Sequence, residues 1–232
     1  MPFLIFDPRY FLFALPALAL VMFAQARVRS AYGRYSQVRN AYGLTGAEAA
    51  RRLLDRAGLP HVSVRVVPGE LSDNYDPREK ALNLSQGVAN APSVAALGIA
   101  AHEIGHAMQD AQAYAPLRFR SSLVPVTNIG SQLGFYIFFA GLLIHPLAWV
   151  GIGLFSLATL FTLVTLPVEL NASRRGRQLL ASSGIITGTE MGGVSAVLNA
   201  AALTYVAALA QALATLLYLL DVMGVFSSND RR

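Results

Sequence analysis

Residues 102–106 read His-Glu-Ile-Gly-His, and these residue types at this spacing carry a specific chemistry. On a helix, side chains four apart share one face. The imidazoles of His102 and His106 can therefore converge on a single ion, while Glu103, one position round, can reach a water held there. Zinc suits two imidazoles plus an oxygen ligand, and a position left open to water makes such a site catalytic. The metal lowers the pKa of the water from about 16 toward about 7 and polarises a carbonyl. Glu103 then acts as general base, taking the water proton and passing it to a leaving nitrogen. The chain has no cysteine, so disulfides and thiolate sites are excluded and a transition metal must be held by His, Asp or Glu. At this composition chance would supply on the order of 0.002 such motifs, which weakens the bland reading of two hydrogen-bonded histidines in a polar helix.

Two histidines need a third protein ligand, and Glu169 is the best-placed candidate, standing just beyond an apolar stretch on the side where the motif lies. Its plain alternative is an interfacial carboxylate paired with Arg174 or Arg175. Asp110 continues the face of His106 at i+4 and is expected to support a ligand ring from behind. His61 and His145 are isolated in expected turns and are not read as ligands.

The elements that must position these residues are dominated by apolar helices. Hydrophobic residues make up 54% of the chain and charged ones 13%, well outside ordinary globular usage, so a membrane class leads. The net charge of +5 is not gathered into a basic patch with exposed aromatics, which argues against a nucleic-acid partner. Crossing a hydrocarbon core of about 30 Å takes roughly 20 helical residues. Four stretches have that length: residues 3–24, 123–144, 147–166 and 200–225, the second and third joined only by His145 and Pro146. The fourth is interrupted by Thr204, Gln211 and Asp221, and a long surface helix is its rival reading.

The resulting division is a first transmembrane helix (1–26), an extramembrane domain carrying the motif (27–122), a transmembrane hairpin (123–168), a segment with the third ligand (169–199), a fourth transmembrane helix (200–226) and a polar tail (227–232). Most Lys and Arg fall in 27–122 and 169–199. The positive-inside rule puts both on the cytoplasmic side of a bacterial inner membrane and both termini outside. Ala24-Gln25-Ala26 resembles a signal-peptidase site, but the arginines that follow at once resist translocation.

Within 27–122 the pattern is α+β. A helix is expected over 45–57, with Thr45 and Glu48 in capping-box spacing and Gly58 past its end. Val62, Val64 and Val66 alternate as a strand, residues 71–85 read as a hairpin turning at 76–79, and the motif helix runs over 92–113 with Asn90 as cap and Pro92 in its first turn.

The blocks Ser72-Asp73-Asn74-Tyr75-Asp76-Pro77, Ala101-His102-Glu103-Ile104-Gly105-His106-Ala107-Met108-Gln109, Leu166-Pro167-Val168-Glu169 and Val197-Leu198-Asn199-Ala200 occur in this order. Together they resemble the YugP-like membrane zinc metallopeptidases, related in motif logic to HtpX-type gluzincins. The elements read above amount to a mainly α membrane protein with about four transmembrane helices and a small α+β zincin-like domain, and the resemblance implies a membrane-embedded peptidase. It implies one Zn2+ ion held by His102, His106 and Glu169, Glu103 as catalytic base, and protein or peptide substrates, including membrane proteins. Two positions depart from it: Asn171 stands where related sequences carry Asp, and Ser173 where HtpX-type enzymes carry Asp. Neither lends a histidine negative charge.

In zinc peptidases an extended substrate pairs with an edge strand above the metal helix, a role open to residues 74–85. Tyr75, Tyr205 and Arg174 are each able to stabilise an oxyanion. Two other functions compete with a membrane-anchored peptidase: an inactive zinc-binding scaffold, against which the intact Glu103 counts, and an intramembrane-cleaving protease, against which the polar groups around the motif count.

Overall fold

The computed structural model describes residues 8–226, apart from the side chains of residues 128, 129, 131 and 132. Expectations for residues 3–7 and for the polar tail at 227–232, with Arg231 and Arg232, lie outside the described residues. The described chain is mainly helical with one small sheet, and it divides into two compact units: residues 25–118 with 167–203, and residues 8–24, 119–166 and 204–226.

The unit that carries the motif is built on helix α2 (Gly46–Arg56), strands β1 (Ser63–Val67), β2 (Asn74–Asp76) and β3 (Ala81–Ser85), and helices α3 (Gln86–Ala89) and α4 (Val94–Ala111). The capping box of α2 is present: the Glu48 amide donates to Thr45 Oγ1 and the Thr45 amide to Glu48 Oε2. The buried face of α2, Ala49, Ala50, Leu53 and Leu54, packs into one core with Leu82, Leu84, Leu97 and Ala100. Strand order is β1-β3-β2, with β3 parallel to β1 and antiparallel to β2. The expected hairpin is therefore β2 and β3. Strand β3 is buried on both faces because it is central, and Val66 on the outer strand is exposed where its alternation suggested burial. Helix α4 starts two residues later than expected: Ser93 is its cap, accepting from the Ala96 amide in the place read for Asn90.

The same unit contains parts of three long helices, α1 (Pro8–Ser36), α6 (His145–Ser183) and α7 (Gly188–Val222). Helix α6 runs unbroken through Pro167, so residues 169–199 are the end of α6 and the start of α7 with a short turn between. Helices α4 and α6 meet backbone to backbone. A Cβ on Gly105 would run into the Ala172 carbonyl, and one on Gly176 into the Ala101 carbonyl. Only glycine at both positions permits this approach.

In the other unit, α5 (Ala115–Gly141) and α6 form a hairpin. Its turn is residues 142–144, and His145 already belongs to α6, a correction to the expected two-residue link. Small residues Gly134, Gly141, Ala148 and Gly151 let these helices pack closely, as membrane helices do. Phe138, Ala148, Ile152, Tyr218 and Leu219 cluster with Phe13, while Arg9 pairs with Asp221 at 3.3 Å. Helices α1 and α6 thus begin, and α5 and α7 end, at one end of this unit. Large apolar side chains such as Leu12, Met22, Tyr136 and Leu143 face outward, a surface suited to lipid. Hydroxyls within it bond carbonyls one turn back, as with Thr159 to Phe155 and Thr165 to Phe161.

Among the described helices, α1, α6 and α7 are long and apolar enough to cross a membrane by length and composition. Helix α5, at 27 residues, also has the length to cross. The motif helix α4 is not among those three.

Candidate metal centre

His102 and His106 project from one face of α4, and Glu169 reaches them from α6. One ligand atom from each lies within 4.8 Å of the others. Glu169 Oε2 is 3.2 Å from His102 Nε2 and 3.4 Å from His106 Nε2. A tetrahedral zinc with bonds of about 2.0–2.1 Å separates its ligands by roughly 3.3 Å, so the donor set fits that ion in chemistry and both carboxylate–imidazole separations fit it in spacing. The imidazoles are 14% and 12% exposed and Glu169 5%, which keeps the ligands dry but leaves the histidines reachable by water.

Each imidazole is held from behind. His102 Nδ1 bonds Ser173 Oγ at 3.0 Å, and His106 Nδ1 bonds Gln109 Oε1 at 3.0 Å. The Gln109 amide is fully buried, and its nitrogen donates to the Val168 carbonyl (2.8 Å) and Asn171 Oδ1 (3.0 Å). Asn171 Oδ1 also accepts from Arg175 Nε at 2.7 Å, so it is an acceptor. The Gln109 nitrogen is thus fixed as donor and its oxygen must accept from His106. That puts the proton on Nδ1 and leaves the Nε2 lone pair facing Glu169.

Burial opposes protonation of His106. The Glu169 carboxylate, which accepts from Nε2–H once the ring is protonated, the charges of Glu103 and Glu169 and the Gln109 bond outweigh it and raise the imidazole above its ordinary value. The surroundings of His106 therefore favour positive charge.

Glu103 is buried beside this cluster, and its Oε2 accepts from the Tyr75 amide of β2 at 3.1 Å. The Tyr75 hydroxyl donates to Asp110 Oδ2 at 2.7 Å, and Lys80 Nζ pairs with the same oxygen at 2.5 Å. Asp110 therefore ties the edge hairpin to α4 and does not support a histidine; the residue behind His106 is Gln109, at i+3 where i+4 was read. Burial pushes the Asp110 carboxyl up, but the Lys80 and Tyr75 bonds and the Lys80 charge bring it below the usual range. Burial first, then Asp110, hold the Tyr75 hydroxyl above the usual tyrosine range, so it stays a donor.

Of the other sequence candidates, Arg174 is exposed and Tyr205 stands on α7. Arg175 holds Asn171 and Gln112, not Glu169. His145 accepts from Trp149 at the start of α6. The signal for Gln109 was local, since i+3 is a contact spacing on a helix. Those for Tyr75 and Lys80 depend on how the hairpin docks.

The chain belongs to the family described as "Putative neutral zinc metallopeptidase", which its residues 10–224 match. It is 45% identical over 212 residues to a Bacillus subtilis (strain 168) protein named "Putative membrane protease YugP", covering 90% of this chain and 93% of that relative. No solved structure matches.

Proposed function

We propose that this chain is a membrane-anchored metallopeptidase of the H-E-x-x-H type, with one zinc ion held by His102, His106 and Glu169 and with Glu103 as general base. The observation that carries the reading is the convergence of three ligand atoms from α4 and α6 within 4.8 Å of one another, with both histidine Nδ1 atoms hydrogen-bonded. Zinc in this set supplies Lewis-acid activation of water and of a peptide carbonyl.

Glu103 removes the water proton and returns it to the leaving amine. Its bond to the Tyr75 amide holds the carboxylate in place while the base is idle. That amide faces Glu103 and not β3, so the outer edge of β2 lies against the base. A substrate strand added along this edge presents its backbone to Glu103 and its side chains to alternate faces.

The anchor comprises α1, α5, α6 and α7. Crossing by α5 is supported by parity: were only α1, α6 and α7 to cross, Glu169 would lie across the bilayer from His102, which it meets at 3.2 Å. The basic residues of 27–122 and 169–199 favour the cytoplasmic side for the site.

The test is bound metal and peptide hydrolysis measured side by side on purified wild type and Glu103→Gln. The variant is expected to keep one zinc per chain and to lose about 100-fold or more in rate. Equal hydrolysis by both proteins ends the enzymatic reading.

A further inference from the structure

Where the apolar run of α1 gives way to charge, the helix lines a cavity of about 220 Å³ walled by Arg27, Ser30, Ala31, Arg34 and Tyr35 of α1 and Ala196 of α7. The cavity has a structural cause. Tyr35 packs against Gly193, so closely that a Cβ there would overlap its ring, and Ala196, three residues on, leaves the space beside it open.

Arg27 and Arg34 are two turns apart on one face of α1. Among the described residues neither has an ion-pair partner. Glu190, near the start of α7, is bound to Thr187 and the Ala41 amide. The Arg34 guanidinium sits 5.4 Å from the Tyr35 ring centroid, a contact that limits where its head can point. Two guanidinium forks with the hydroxyl residues Ser30 and Tyr35 around one hollow form a donor set for a tetrahedral oxyanion, with no carboxylate in the lining to repel it.

Depth selects the source of that anion. Arg27 is the first charged residue after the apolar run, and Arg34 lies about 10 Å further along the axis. The headgroup layer of a bilayer is roughly 5–8 Å thick on each side, so an α1 that crosses the membrane puts the cavity mouth at phosphate level. We propose that this cavity binds the phosphate of an acidic phospholipid headgroup. The proposal rests on α1 as a membrane span and is independent of whether the metal site hydrolyses peptides.

The experiment reconstitutes the full chain into nanodiscs of phosphatidylcholine with a minor fraction of phosphatidylglycerol and measures retained lipid by native mass spectrometry. Wild type is expected to retain phosphatidylglycerol selectively, and Arg27→Gln/Arg34→Gln to bind it roughly 30-fold more weakly, about fivefold per cation. Arg52→Gln/Arg56→Gln removes the same charge from exposed positions on α2 and is expected to change nothing. No preference for phosphatidylglycerol in wild type, or equal losses in both double variants, overturns the proposal. A parallel titration with inorganic phosphate in detergent separates the two sources: saturation by free phosphate without any lipid preference overturns the headgroup assignment.

Discussion

Without the Gln109 amide, His106 loses the acceptor that keeps its proton on Nδ1, and its Nε2 no longer faces Glu169 in a fixed tautomer. Gln109→Ala is therefore expected to weaken zinc binding about 10- to 100-fold, the usual effect of losing a partner behind a ligand. Competition with a chromophoric chelator measures this, and unchanged affinity in a folded variant would remove Gln109 from the site. The candidate ligand pair was legible in the sequence because a helix fixes the i, i+4 relation locally. The support behind it was misread by one position, since nothing local tells that Asp110 is claimed by Tyr75 and Lys80 of a distant hairpin. At Ser173 and Asn171 the resemblance led one to expect acids. Here a hydroxyl bonds His102 directly, and an amide acts one step further back through Gln109.

At the scale of elements, the site depends on α4 and α6 touching and on β2 docking against α4. Gly105→Ala pushes a methyl into the Ala172 carbonyl, which cannot rotate away. It is expected to cost about 1–3 kcal/mol and to separate Glu169 from the histidines. Gly33→Ala, with open space at a helical position, is expected to leave bound zinc unchanged and to hold or slightly raise the melting temperature. Zinc retained at wild-type stoichiometry in Gly105→Ala would mean the helices can part without loss of the site.

The β2 clamp has a pH signature. Because the folded Asp110 carboxyl titrates below its unfolded value, its contribution is complete above about pH 4 and is lost as pH falls through the depressed value. The stability gap between wild type and Asp110→Asn should accordingly be open at pH 6 and close in acid. A urea midpoint series reads it, and a gap constant down to the lowest pH would exclude the charge as its source. Elements with local signals were legible, the Thr45–Glu48 box above all. The continuity of α6 through Pro167 was not, because the surrounding helices, and not local propensity, hold it.

For the whole molecule, the number of crossings is tied to the metal site by parity. Residues 27–122 leave α1 and residues 167–187 leave the apolar part of α6. Between them lie α5 and α6, and the two segments share a side only if both cross or neither does. Helix α6 is apolar enough to cross, and Glu169 meets His102 and His106. The alignment of helix ends agrees: the end of α5 packs with the end of α7 and with the start of α1, as two antiparallel pairs would. The absence of cysteine lets single-cysteine variants report on this without background. Arg52→Cys is expected to react with an impermeant maleimide only after cells are permeabilised, placing the motif-bearing unit in the cytoplasm. Leu143→Cys, in the turn between α5 and α6, is expected to react in intact cells. If Leu143→Cys is protected together with Arg52→Cys, α5 does not cross. The carboxylate and the histidines can then share an ion only if α6 also fails to span, and the four-helix anchor is wrong.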